Sequence, residues 1–386
     1  MKRENRTRAA RPLPLVVRYV FFAGMLAATI VALWQSGSPA TSPASAASLF
    51  LQDRGQQPVL RPVPRDILPA ELEIDWQQLF PGTMRNEPED NPVTLAKVAL
   101  GRRLFFDPIL SDDGTVACAS CHDPRHAFAT PDRVAIGIRG QVGKRNSPSL
   151  LNVALGSSFF WDARTEGLEA QALEPISNPL ELGSDPDAVV MRLAAHAEYP
   201  ALFQDAFGSP VSKENLARAI ASFERVLASS NNGADRFHNG EITALSVSAK
   251  QGLWLFESRG RCWMCHSDDN LTDNQLHNTG VSWGEEPLDL GRFEQTEIPT
   301  DRGRFKTPSL RDVARTAPYM HDGSLATLED VVEFYDRGGV KNPYLDELMQ
   351  PLNLSEDDKR HLVDFLRELN GQIDWGTGAA KERQPR

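Results

Sequence analysis

The sequence of 386 residues predicts an all-α fold with long loops, built from two similar halves. Apolar residues recur at helical spacing over several segments, and no segment alternates apolar and polar residues as a half-buried strand does. A five-residue motif, C-x-x-C-H, occurs once in each half. These three observations fix the fold class and point to the chemistry.

Each motif copy contains two cysteines and a histidine, and together the copies use all four cysteines of the chain. C-x-x-C-H is the attachment site for c-type haem, in which the cysteines form thioether bonds and the histidine ligates the iron. A zinc site made from two C-x-x-C pairs and a thioredoxin-like redox pair are the alternatives. Neither of these sites requires a histidine directly after the second cysteine, and in this chain such a histidine is present in both copies. The motifs therefore predict two covalently attached haems, bound by Cys118, Cys121, His122, Cys262, Cys265 and His266.

Charge is unevenly distributed along the chain. The formal net charge is -11, but the first 47 residues carry +5 and the remainder therefore carries -16. A body this acidic argues against nucleic-acid binding and favours a partner with a basic patch.

The N-terminal residues 1–47 are predicted to be a signal peptide or an N-terminal membrane anchor. A basic stretch precedes an apolar run over residues 19–34, and residues 44–46 have the A-x-A form of a cleavage site. The run is short for a full membrane span. Either outcome predicts a periplasmic body, soluble after cleavage or tethered to the inner membrane.

An internal repeat organises the rest of the chain. The pattern G-x-x-L-F begins at Gly101 and again at Gly252, each time ahead of a haem motif, as expected for the first helices of two cytochrome c-like units. Ser212, Thr327 and Ser355 precede apolar helical stripes and are predicted N-caps. The predicted organisation is a lead-in segment over 48–91, haem domains over 92–235 and 236–376, and a polar tail over 377–386.

Several motifs recur in order between and after the haem motifs, within residues 145–153, 159–164, 168–181, 306–311 and 316–323. On these segments the chain resembles the bacterial dihaem cytochrome c peroxidases, including their MauG-type members, over roughly residues 92–372. The resemblance implies that the N-terminal haem is the peroxide site and that the C-terminal haem transfers electrons.

The resemblance also assigns roles to individual residues. It places Gln171 and Glu181 on the peroxide-binding face of the first haem, with Pro175 shaping the pocket, and a carboxylate there can move a proton between the peroxide oxygens. It places Trp161 between the haems as an electron relay; a core aromatic is the alternative. It implies a calcium ion at the domain junction, held by hard oxygen donors, from Asn146, Thr316 and Pro318.

Two positions depart from the common peroxidase pattern. Ile138 stands where many members have a histidine that caps the first iron, so the first haem is expected to be permanently open. His126 lies too close to the proximal His122 to replace that ligand. Tyr335 stands where many members have a methionine as sixth ligand of the second iron, and the MauG-type members have a tyrosine there. The alternative for Tyr335 is a packed core tyrosine, with Met320 or another residue on the iron.

The leading functional prediction is a periplasmic dihaem peroxidase that reduces hydrogen peroxide. Its electrons would come from a small redox protein, a cytochrome c or a cupredoxin. A MauG-type oxidase that modifies a partner protein, and a non-catalytic dihaem electron carrier, are the alternatives. A homodimer is possible, as in related proteins.

Overall fold

Residues 61–66 and 87–374 are described by the computed structural model of the chain. The predicted signal peptide or anchor, most of the lead-in segment and the polar tail lie outside the described residues. Eleven α-helices are described within these ranges, and they are α1 Leu95–Phe106, α2 Cys118–Cys121, α3 Leu168–Ser177, α4 Pro186–Ala195, α5 Tyr199–Phe207, α6 Lys213–Glu224, α7 Gly233–His238, α8 Val247–Glu257, α9 Phe293–Thr296, α10 Leu328–Asp336 and α11 Glu356–Arg367.

Strands are few and short, as the sequence predicts. In the described part of the chain, β1 Ala228–Ser230 pairs antiparallel with β4 Gln372–Asp374, and β2 Leu276–His277 pairs antiparallel with β3 Phe305–Lys306. Short 3-10 helices punctuate the loops at Pro108–Leu110, Pro124–His126, Ile138–Gly140, Val153–Leu155, Cys262–Met264, Pro299–Asp301 and Val313–Arg315. The helix-rich fold class is confirmed.

The three predicted N-caps are confirmed. The side-chain oxygens of Ser212, Thr327 and Ser355 each accept a hydrogen bond from the amide three residues later, at the starts of α6, α10 and α11. Such a cap satisfies one of the amides that a helix start leaves without an intrahelical partner.

The two G-x-x-L-F helices pack in the same way in each half. A Cβ atom on Gly101 would lie 1.9 Å from the carbonyl oxygen of Ala219, and one on Gly252 would lie 2.0 Å from that of His361. Glycine therefore lets α1 touch the backbone of α6 and lets α8 touch the backbone of α11.

Aromatic pairs repeat at these two crossings. Phe105 lies 5.2 Å from Phe223, and Phe256 lies 5.2 Å from Phe365, measured between ring centroids. Together with the glycine contacts, these pairs place α6 and α11 in equivalent positions.

A second repeated segment lies after each haem motif and leads into α3 in the first half and into α10 in the second. Bridges between Phe159 and Thr165 and between Tyr319 and Leu325 close matching turns, 160 residues apart. The helix that follows begins at Leu168 in one copy and at Leu328 in the other. Residues at this spacing are therefore structural equivalents.

The apolar core follows the two halves. One cluster of described core residues runs from Ala234 to Leu369, and the others run from Val98 to Leu227. Ile373, on β4, packs against the N-terminal clusters, so the end of the second half returns to the first. The domain boundary at 235/236 stays a prediction. Within the described residues, no helix is long and apolar enough to cross a membrane.

Candidate haem pockets

A cavity of about 460 Å³ lies against the first haem motif. Cys118, Cys121 and His122 line it, and α3, α6 and the loop after α3 complete its walls. Neither cysteine is paired in a disulfide, as thioether attachment of a haem requires.

A second cavity, of about 240 Å³, lies against the second motif. It is lined by Cys262, Cys265 and His266, which are joined by residues of α8, α10 and α11. Neither cysteine of this motif is paired in a disulfide. Each half of the described chain thus places its C-x-x-C-H motif at the wall of a cavity.

The two motif histidines are held in the same orientation. His122 Nδ1 lies 3.0 Å from the carbonyl oxygen of Phe128 and 3.1 Å from that of Pro148, and His266 Nδ1 lies 3.0 Å from that of Leu271. Because a carbonyl can only accept, Nδ1 carries the proton and Nε2 is left as the metal-binding nitrogen. Burial lowers the pKa of both imidazoles and keeps them in the neutral form that binds iron. The residues present therefore fit a c-type haem in each cavity.

The predicted peroxide-side residues lie together on the wall of the first cavity. Gln171 and Pro175 are on α3, and Glu181 follows that helix. Gln171 Oε1 is buried without a hydrogen-bond partner among the described residues, so it is free to bind a ligand. Burial raises the pKa of Glu181 even though Asn178 Nδ2 donates to its Oε1 at 2.7 Å. A carboxyl in this state can both accept and return a proton.

The loop around Ile138 supports Glu181. The Ile138 amide donates to the Glu181 carbonyl oxygen at 2.8 Å, and the Ile138 side chain is buried and packs on Gly183. A Cβ atom on Gly137 would lie 2.0 Å from the carbonyl oxygen of Leu180, so only glycine allows this approach. Ile138 does not line the first cavity. No local sequence pattern indicates this supporting role, because it depends on contacts between distant segments.

Trp161 lines both cavities and so lies in the wall between them. Its Nε1 donates to the carbonyl oxygen of Asn146 at 2.8 Å, and its own carbonyl accepts from the amide of Lys306 at 2.7 Å. Its repeat equivalent, His321, meets it edge to face with ring centroids 6.4 Å apart. His321 also stacks on Phe305 at 3.6 Å. The indole is thereby fixed by contacts from both halves.

Tyr335 lies on α10 and lines the second cavity. Burial raises the pKa of its hydroxyl, with a smaller contribution from the nearby Cys265 and Cys262. The phenol is therefore protonated unless a cation displaces the proton, and a ferric iron is such a cation. Met320, the alternative ligand, lines the same cavity.

The three predicted calcium-binding residues also line the second cavity. Asn146 Nδ2 donates to the carbonyl oxygens of Asp132 and Arg133 at 3.1 and 3.2 Å, so its Oδ1 faces away from these carbonyls as an oxygen donor. Thr316 Oγ1 donates to the Val313 carbonyl at 3.0 Å, which fixes the segment that leads to Pro318. Oxygen donors of this kind suit calcium.

His277 lies beside the second motif, although it belongs to no recognisable sequence motif. Its ring nitrogens lie 2.6 Å from Asp346 and 2.9 Å from Asp273. Hydrogen bonds to Cys265, Asp346 and Asp273 raise the pKa of His277, and the two carboxylates remain its partners when Cys265 carries a thioether. Cys265, Asp273 and His277 could together hold a metal ion, but a thioether at Cys265 removes the thiolate that such a site needs. No local sequence pattern marks this cluster, because its members come together only in the fold.

Comparisons with known proteins agree with this geometry. The family model for di-haem cytochrome c peroxidases matches residues 95–243. The methylamine utilization protein MauG of Methylorubrum extorquens is 42% identical over 287 residues, which cover 74% of this chain and 81% of that protein. The cytochrome c551 peroxidase of Pseudomonas aeruginosa is 34% identical over 289 residues, covering 73% and 80%.

A solved structure supports the same relationship. The crystal structure of a MauG-like protein associated with microbial copper homeostasis superimposes with a TM-score of 0.69 at 33% identity, covering 74% of this chain and 92% of that one. The paired haem motifs, the repeated halves and these similarities lead to one conclusion. The chain belongs to the di-haem cytochrome c peroxidase family, which includes the MauG proteins.

Proposed function

We propose that the chain is a periplasmic dihaem peroxidase that reduces hydrogen peroxide in the first pocket, with electrons delivered through the second. One observation carries the proposal: Pro175 and Tyr335 are structural equivalents, 160 residues apart, and each lines its own cavity. A tyrosine hydroxyl can bind iron and a proline side chain cannot. The pocket with proline is therefore the one that admits peroxide.

The residues of the first pocket supply what peroxide reduction requires. The overall reaction takes one hydrogen peroxide, two electrons and two protons to two waters. The haem of this pocket, when bound, provides the metal that passes electrons to peroxide. Glu181 accepts the proton from one peroxide oxygen and delivers it to the other, which becomes the leaving water. Gln171 Oε1, buried without a partner, accepts a hydrogen bond from the bound peroxide and orients it.

Electron delivery uses the wall between the cavities. Trp161 is held by Asn146 and Lys306, and among the described residues that line both cavities it is the aromatic one. We assign the relay to its indole ring for this reason. An oxygen ion such as the Tyr335 phenolate stabilises the ferric state and lowers the reduction potential of the second haem. The calcium ion, held by Asn146, Thr316 and Pro318, would fix this junction.

A second candidate function is a MauG-type oxidase that uses peroxide to modify a partner protein. It is favoured by Tyr335 at the second pocket and by the 42% identity to a MauG protein. In that case the electrons come from side chains of the partner and travel by the same route through Trp161.

Steady-state turnover separates the two candidates. The haem-loaded chain is mixed with hydrogen peroxide and with a reduced small cytochrome c or cupredoxin, and oxidation of the donor is followed. Sustained turnover that depends on both reagents supports the peroxidase. Peroxide consumption without donor oxidation contradicts it and favours the oxidase, and absence of any spectral response to peroxide contradicts both and restores the electron carrier.

A further inference from the structure

The two haem pockets differ at one further pair of equivalent positions. At the two helix contacts made by Gly101 and Gly252, Ala219 of α6 is equivalent to His361 of α11. One turn later Phe223 is equivalent to Phe365. The residues that follow them, Glu224 and Leu366, are therefore also equivalent. Glu224 lines the first cavity and Leu366 lines the second. The first half thus places a carboxyl group where the second half places an alkyl side chain.

Glu224 is buried, with 5% of its surface exposed, and its Oε2 has no hydrogen-bond partner among the described residues. The neighbouring Arg225 does not neutralise it, because Arg225 forms a two-point ion pair with Glu169 on α3 at 2.7 and 2.8 Å. Burial raises the pKa of Glu224 to about 8, with Arg225 opposing and Glu169 adding to the rise. Glu224 is also close enough to Cys118 to raise the pKa of that thiol.

A structural role does not account for this side chain. A buried carboxyl oxygen without a hydrogen-bond partner costs stability, on the order of 1–3 kcal/mol. Leucine fills the same position of the same helix crossing in the second half, so the fold itself does not require an acid there. What distinguishes the first half at this point is its cavity, which also holds Gln171 where the second half holds Val331.

We propose that Glu224, in the wall of the first cavity, couples reduction of the haem bound there to the uptake of one proton by its carboxyl group. The balance is one electron to the ferric iron and one proton to the Glu224 carboxylate, giving ferrous iron and a neutral acid. The proton enters from solvent, and the electron arrives by the route of the proposed function, on which this inference rests. A carboxylate near the haem stabilises the more positive ferric state and so lowers the reduction potential.

The charged groups that face Glu224 determine the direction in which the potential of the first haem changes with pH. Arg225 and Glu169 remain paired with one another, and Cys118 is uncharged once it carries a thioether. Because the pKa of Glu224 is raised, its carboxyl is neutral at pH 6 and ionised at pH 9. The potential of the first haem therefore falls as the pH rises through about 8.

The test is an anaerobic spectroelectrochemical titration of the full chain with both haems attached, at pH 6 and pH 9 and without peroxide. Glu224→Gln and Glu224→Leu are compared with the unsubstituted protein, and Leu is the residue that the second half already uses. At pH 9 both variants should raise the potential of the first haem, whereas at pH 6 Glu224→Gln should match the unsubstituted protein. The potential of the second haem should be the same in all three proteins.

Glu181→Gln is the matched control, because it removes the other carboxyl with a raised pKa from the same cavity. It should retain the part of the pH response that Glu224→Gln loses. An unchanged pH response of the first haem in both Glu224 variants overturns the inference. Haem content is counted by mass spectrometry beforehand. A chain without the first haem overturns the proposed function as well. A normal haem content, with a first-haem potential that the Glu224 variants leave unchanged, overturns this inference alone.

Discussion

Pro175 and Tyr335 occupy the same place in the two repeated segments, at the eighth residue of α3 and of α10. Each side chain lines the cavity of its own half. In the proposed function, this difference provides a hydroxyl oxygen that can bind the second iron, whereas the proline at the equivalent position of the first pocket cannot bind iron. The same folded unit, used twice, can therefore serve as a peroxide site and as an electron-transfer site.

Replacing Tyr335 tests whether its hydroxyl oxygen is the sixth ligand of the second haem iron. Tyr335→Phe removes the oxygen and keeps the ring, so the second haem should lose its sixth ligand and become high-spin while the first is unchanged. Tyr335→Met should restore six-coordination and raise the potential of the second haem, because a thioether favours the ferrous state. Optical and redox titrations measure both effects. An unaltered spin state in Tyr335→Phe would show that another residue, such as Met320, binds the iron.

Glu181→Gln should lower peroxide turnover by about 10²- to 10⁴-fold, the usual contribution of a general acid–base group. Both haems should remain attached, because Glu181 is not part of either motif. Turnover and haem content are measured on the same preparations. Glu166→Gln, at an exposed position just before α3, is the control and should be fully active. Full activity in Glu181→Gln would remove this carboxyl from the mechanism.

The pH dependence of peroxide turnover follows from the same carboxyl. Glu181 must be ionised to accept the peroxide proton, and burial raises its pKa above the ordinary value of 4.5. Turnover should therefore decrease as the pH is lowered, with a midpoint above 4.5. That acid limb should be absent from the residual turnover of Glu181→Gln. An identical limb in both proteins would assign it to a different group.

Trp161→Phe should slow oxidation of the donor while peroxide still binds in the first pocket. The substitution keeps an aromatic ring but removes the Nε1 hydrogen bond to the Asn146 carbonyl, at a cost of about 1 kcal/mol in stability. Peroxide binding and donor oxidation are followed separately by stopped-flow spectroscopy. Trp254→Phe changes an exposed tryptophan and serves as the control. Equal rates of donor oxidation in Trp161→Phe and the unsubstituted protein would reduce Trp161 to a packing residue.

Gly252→Ala tests the helix crossing that places the second pocket. The added methyl group would meet the His361 carbonyl at 2.0 Å, so α8 and α11 must separate and the free energy of unfolding should fall by about 1–3 kcal/mol. Gln251→Ala, at the exposed neighbouring position, should change it by less than about 0.5 kcal/mol. Chemical denaturation of the haem-loaded proteins measures both. Equal stability of the two variants would contradict the close helix contact.

Much of the fold could be predicted from the sequence because its signals are local. The haem motifs, the G-x-x-L-F repeat and the caps at Ser212, Thr327 and Ser355 each lie within a few consecutive residues. The short strands could not be predicted, because two or three residues carry no period. β1 and β4 are also more than 140 residues apart in the chain.

The site was predicted less completely than the fold. The resemblance to dihaem peroxidases supplied Gln171, Pro175 and Glu181, and the structure brings them to one cavity. The support of Glu181 by Gly137 and the burial of Glu224 depend on contacts between distant segments, which no local pattern records.

Low-temperature EPR of the diferric protein, with haem content counted, distinguishes an open first haem iron from a six-coordinate one. One high-spin and one low-spin ferric signal in equal amounts is the predicted result, because Pro175 leaves the first iron open and Tyr335 closes the second. Two low-spin signals would mean that an unidentified ligand closes the first iron to peroxide, and the first pocket could then not be an open peroxide site.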